Sequence, residues 1–86
     1  THVSDVVSAN ILASTVKMKK YGEVFNLGTG TNYSVNEISD FISKNKIMIE
    51  PRVGESRETL ADIKKVKTVL GWKPKVKLKD WIASQL

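Results

Sequence analysis

The chain has 86 residues, 14 Lys+Arg against 9 Asp+Glu, a formal net charge of +5 and no cysteine. That length holds one small domain with a thin core, and the missing thiols exclude disulfide staples, thiolate metal sites and cysteine nucleophiles. The single histidine, His2, excludes a histidine metal cluster; no apolar run nears the ~20 residues of a bilayer span and nothing reads as a signal peptide, so a cytoplasmic location without membrane contact is expected.

In chain order, Thr1-His2-Val3 reads as the end of a strand. Ser4 is the expected N-cap of a first helix running from Asp5 to about Val16, with Asp5 favoured by the helix dipole. Its apolar residues, among them Val6, Val7, Ala9, Ile11, Leu12 and Val16, cover more than one stripe, as in helices buried on several sides. An 86-residue chain has little with which to cover them. Gly22 closes this region. Glu23–Leu27 has the composition of a short strand bounded by glycine, and Gly28-Thr29-Gly30 is a turn. Ser34-Val35-Asn36-Glu37 is a capping box that opens a second helix, about Val35 to Lys44, with Asn45 as a left-handed terminator. Ile47-Met48-Ile49 is a second short strand. After a polar loop over 51–60, Asp62 caps a third helix, Ile63 to Leu70, ended by Gly71. Pro74 keeps Lys73 extended, and Leu78, Trp81 and Ile82 mark a final short helix. The expected fold class is α/β, as an α+β fragment of about four helices and two or three short strands.

The surplus charge is local. Residues 1–62 hold 7 basic and 8 acidic side chains, whereas residues 63–86 hold 7 lysines and 1 aspartate. Lys73, Lys75, Lys77 and Lys79 alternate along an extended stretch flanked by Trp72 and Trp81, which raises a basic module gripping single-stranded nucleic acid. Both tryptophans occupy positions expected of core anchors, and only Arg52 and Arg57 offer base readout. A solvated lysine face is the better reading, and nucleic acid is not the expected partner. The Gly28-Thr29-Gly30 turn lacks the third glycine of a dinucleotide fingerprint and reads as plain chain reversal. His2 has no partner nearby in sequence and reads as structural.

The loop Pro51-Arg52-Val53-Gly54-Glu55-Ser56-Arg57 is the best chemical candidate. The Arg52 guanidinium offers a planar fork of donors suited to phosphate oxygens. The Glu55 carboxylate can accept both hydroxyls of a ribose, and Gly54 lets the backbone bend so that both heads face one ligand. From spacing alone, a surface loop with a local ion pair worth ~0–1 kcal/mol fits equally well.

The succession His2-Val3-Ser4-Asp5, Phe25-Asn26-Leu27-Gly28-Thr29-Gly30, Tyr33-Ser34-Val35-Asn36-Glu37, Pro51-Arg52-Val53-Gly54-Glu55, Leu60-Ala61-Asp62-Ile63 and Leu70-Gly71-Trp72-Lys73-Pro74 resembles the carboxyl-terminal part of the extended short-chain dehydrogenase/reductase family. Within it the likeness is greatest to nucleotide-sugar epimerases of the UDP-glucose 4-epimerase kind, with dehydratases next. The resemblance implies that residues 1–86 form a single nucleotide-sugar-binding segment of a two-part enzyme. An amino-terminal Rossmann domain, absent from these residues, would bind NAD and carry a Tyr-x-x-x-Lys pair. Four residues after Tyr21 and Tyr33 stand Phe25 and Glu37, so no such pair occurs here, and no cofactor is expected on this chain itself. The resemblance gives Arg52 the nucleotide diphosphate and Glu55 the ribose. Some members place an aromatic residue where Thr59 stands, so no role passes to it. The stretch between Ile42 and Pro51 is shorter than in typical relatives. The implied partner is a nucleotide-diphosphate sugar, most simply a UDP-sugar. The alternatives are the basic nucleic-acid module and a truncated fragment that self-associates through its uncovered apolar surface.

Overall fold

The computed structural model describes all 86 residues and shows four helices: α1 (Val3–Thr15), α2 (Val35–Ile42), α3 (Lys64–Leu70) and α4 (Leu78–Gln85). There is no strand, so the fold is all-α and the expected α/β class is corrected. A strand exists only by pairing its amides and carbonyls with a neighbour. All 31 backbone–backbone hydrogen bonds lie within helices or at their ends. Glu23–Leu27 still shows the period-two burial of a strand, with Phe25 and Leu27 turned to the core and Val24 78% exposed. It simply has no neighbour to bond. Ile47, Met48 and Ile49 all face outward, because nothing apolar lies opposite them.

The entry to α1 also differs from expectation. Thr1-His2-Val3 does not end a strand: the helix starts at Val3 and His2 is its N-cap. The His2 Nδ1 accepts the Ser4 N–H at 3.1 Å and lies 2.7 Å from Ser4 Oγ. Ser4 thus sits in the first turn. Asp5 has a structural role beyond the helix dipole. It is buried, and its carboxylate accepts the backbone N–H groups of Lys75 at 3.0 Å and Val76 at 3.1 Å. The Asp5 carbonyl accepts the Trp72 indole N–H at 2.9 Å, which Ser8 Oγ shares at 3.0 Å. These bonds tie the start of α1 to the extended stretch after α3.

The core is the cluster Ala9, Ile63, Val66, Leu70 and Trp72, with Leu12, Val16, Phe25 and Leu27 packed on its rim. Trp72 is 1% exposed, as expected of an anchor and unavailable for stacking on a base. α1 packs on α3, and α2 on α4. Across the second pair the Lys79 ammonium of α4 lies 5.6 Å from the Phe41 ring of α2, and Tyr33, just before α2, meets that ring edge to face. Trp81, also expected as a core anchor, is instead 41% exposed and tilted against the His2 ring.

The other helix ends follow local chemistry. The capping box at Ser34 and Glu37 is formed in both directions. Asp62 accepts the Lys64 N–H at 3.0 Å, one residue ahead of the observed N-cap, Ile63. Gly71 takes the left-handed conformation at φ 68° and stops α3. α2 ends at Ile42, two residues short of expectation, and Asn45 is not left-handed, since no residue other than glycine has positive φ. Ser43 is already extended and its hydroxyl accepts the Asn45 N–H at 3.0 Å. That local bond competes with another helical turn.

The molecule is a plate of 50 × 32 × 15 Å with a radius of gyration of 16.3 Å. A compact domain of this length has about 12 Å. Its accessible surface is 7408 Å², against ~5,100 Å² for a compact chain of the same mass. Part of the excess is α1. Asp5, Ala9 and Leu12 face the core, while Val3, Val7 and Ile11 form a second, exposed stripe. The several-sided apolar pattern of this helix is thus real, and one side is uncovered. No helix is long and apolar enough to cross a membrane.

Candidate functional site

The loop over 51–60 begins where α2 and its following residues leave the body. Lys46 Nζ reaches back to Asn36 Oδ1 at 3.4 Å and Asp40 Oδ1 at 3.3 Å, fixing the start of this excursion. The loop then projects into solvent, with Val53 fully exposed. Gly54 turns it at φ 87°, a left-handed conformation suited to glycine. That turn brings Arg52 Nε to 3.8 Å from Glu55 Oε1, with the two side chains 73% and 61% exposed. At that distance and exposure the pair is a loose surface contact of ~0–1 kcal/mol. Both heads are therefore adjacent, solvated and available to an incoming ligand. Arg57 is exposed on the same loop.

The loop returns to the body beside the Gly28–Tyr33 turn. Asn32 Nδ2 donates to Glu58 Oε1 at 3.0 Å and to the Thr59 carbonyl at 3.3 Å. Next to it, Gly28 and Gly30 lie flat on Ala61 and Ile63. A Cβ at Gly28 would stand 2.8 Å from Ala61 Cβ, and one at Gly30 would stand 3.1 Å from Ile63 Cδ1. This settles what the two glycines do. The side that a Cβ would occupy at each glycine is taken up by a protein side chain. Close packing, together with φ 76° at Gly30, accounts for glycine at both positions.

A cleft of about 560 Å³ opens on the far side of the turn, between Thr31, Asn32, Tyr33, Thr59, Pro74 and Lys77. Its walls mix threonine and tyrosine hydroxyls and the Asn32 amide with apolar Pro74, Val76 and Leu78, and include one lysine. Arg52 and Glu55 do not line it. The candidate ligand groups thus stand on the loop, and the cleft lies where the loop's far end meets the body. Lys73, Lys75, Lys77 and Lys79 alternate outward with half-buried Pro74, Val76 and Leu78, an exposed face on which Lys77 also borders the cleft.

Three residues matter more than their sequence context suggests. Asp5 and Asn32 work through partners 70 and 26 positions away, which no local pattern reveals. Lys65 pairs with Glu23, donates to the Val24 carbonyl at 2.8 Å and sits 5.1 Å from the Phe25 ring centroid. It holds the unpaired strand-like segment on the core.

No protein-family model matches the chain, and no solved structure matches it. Among curated proteins, a UDP-glucose 4-epimerase-like protein of Methanocaldococcus jannaschii is 40% identical over 94% of the chain and 27% of its own length. The UDP-glucose 4-epimerase of Lactobacillus helveticus is 41% identical over 85% of the chain and 24% of its own length. That of Rhizobium meliloti is 36% identical over 90% of the chain and 26% of its own length. The chain therefore spans about a quarter of the curated relatives it matches.

Proposed function

From a chain related over nearly its whole length to the carboxyl-terminal part of UDP-glucose 4-epimerases, we propose a nucleotide-sugar-holding segment of such an epimerase. Arg52 grips the diphosphate through its guanidinium fork, and Glu55 accepts the ribose hydroxyls. The observation that carries this reading is their placement. A glycine turn holds the two heads 3.8 Å apart on one exposed loop, at the positions the family resemblance assigns to them. Each must release the other to take a ligand, and their solvated pairing costs little to break.

On this reading the chain tethers and does not catalyse. A tether supplies binding energy remote from the reacting sugar, which keeps a weakly held intermediate in place while the chemistry proceeds. NAD, in this scheme, belongs to a part of the enzyme outside these 86 residues, and the whole works in the cytoplasm. A second consequence is self-association of the isolated chain, supported by the exposed Val3, Val7 and Ile11 stripe.

The test is a titration of the chain with UDP and a UDP-sugar, followed by NMR. Saturable shifts at Arg52 and Glu55, lost in Arg52→Ala, are expected. Unchanged spectra at millimolar ligand refute binding by this chain alone.

A further inference from the structure

We infer that Asn32 is the positioning residue of the loop that carries Arg52 and Glu55. The inference rests on the nucleotide-sugar reading for its functional meaning, and on geometry for its structural content. Between Lys46 and Asp62, the only hydrogen bonds joining the chain to the rest of the molecule, apart from those of Lys46 itself, are the two that Asn32 donates. No backbone–backbone bond braces this stretch. The Arg52–Glu55 contact lies wholly inside the loop and ties it to nothing.

Asn32 suits the task. Its amide nitrogen has two hydrogens, and it has two acceptors: Glu58 Oε1 at 3.0 Å and the Thr59 carbonyl at 3.3 Å. The first acceptor is a carboxylate, so that bond is charge-assisted. The anchor point is three residues after Glu55. Asn32 itself follows Gly28 and Gly30, whose close contact with Ala61 and Ile63 holds the turn against the chain just beyond the loop. Backbone packing and a side-chain fork therefore meet at one end of the loop, and Lys46 secures the other.

A loop released at one end samples many placements of Arg52 and Glu55 relative to the cleft. Apparent affinity falls by the fraction of time the competent placement is populated. Asn32 touches neither diphosphate nor ribose on this scheme; it acts through the loop.

The test uses three forms of the chain. Asn32→Asp keeps the shape, removes both donors and sets a carboxylate against Glu58. Adding Glu58→Gln returns a donor with the bond polarity reversed. Ligand-free 15N heteronuclear NOE values at residues 52–57 and UDP titrations are measured on each. The expected result is lower NOE values in Asn32→Asp, a roughly three- to tenfold rise in Kd for UDP, and partial recovery of both in the double variant. Unchanged NOE values in Asn32→Asp overturn the anchor, and lowered NOE values with unchanged Kd overturn its role in binding. If wild type shows no response to UDP while the NOE values fall and recover as stated, the anchor stands and the nucleotide-sugar reading is what fails.

Discussion

Replacing Asp5 with alanine removes the acceptor of two backbone N–H groups, those of Lys75 and Val76 at 3.0 and 3.1 Å. Hydrogen bonds to a charged group contribute about 1.5–3 kcal/mol each, and a donor left without a partner adds its desolvation. Both amides are only partly buried, so water recovers some of the loss, and the net cost is about 3 kcal/mol. A chain of this size at the low end of natural stability has about 4 kcal/mol in all, at 0.05 kcal/mol per residue. Asp5→Ala should therefore nearly unfold the protein at room temperature. Urea titration in a Trp81→Phe background checks this, because the buried Trp72 indole, bonded to the Asp5 carbonyl, then reports alone. Ser4→Ala is the paired control. Were Ser4 the N-cap, its loss would cost ~1 kcal/mol; with His2 in that position the cost should stay below about 0.5 kcal/mol. A loss under about 1 kcal/mol for Asp5→Ala, or a larger loss for Ser4→Ala, would refute the picture of how α1 is fastened.

Gly28→Ala should destabilise by about 1–3 kcal/mol through overpacking, since its Cβ would lie 2.8 Å from Ala61 Cβ; adding Ala61→Gly should return part of this in a double-mutant cycle. Lys65→Met keeps the stem and loses the ammonium that the Val24 carbonyl accepts, so 15N heteronuclear NOE values should fall across Glu23–Leu27 while those of α1 hold. Sedimentation equilibrium should find the chain associated, with Ile11→Lys shifting it toward monomer; a monomeric wild type with a sharp cooperative melt would remove the self-association reading.

What could be foreseen from sequence was what is decided within a few residues. The Ser34–Glu37 capping box, the left-handed Gly71 and the buried Trp72 beside it follow from side chains and backbone three or four positions apart. The strands at Glu23–Leu27 and Ile47–Ile49 did not form. Their composition is correct for strands, but pairing needs a neighbour that composition cannot supply. The His2 cap was missed because histidine is a poor cap by type, although its Nδ1 reaches the Ser4 amide as an aspartate oxygen would. In the 51–60 loop, the local Arg52–Glu55 pairing across Gly54 could be foreseen because a positive-φ glycine between two charged heads is a local device. That of Asn32 could not, because its partner is 26 residues on.

The 15 Å thickness of the plate has a thermodynamic meaning. A helix with its side chains is 10–12 Å across, so the molecule is little more than one layer deep, while stable domains stack two. Its folding free energy is then partly a binding free energy. Anything that covers the plate adds RT ln(1 + [L]/Kd), about 2.7 kcal/mol at a hundredfold excess over Kd. The melting temperature should climb with protein concentration if copies cover one another, and with added partner if something else does. Where copies cover one another, fold and assembly become a single equilibrium, with concentration as the variable that sets it.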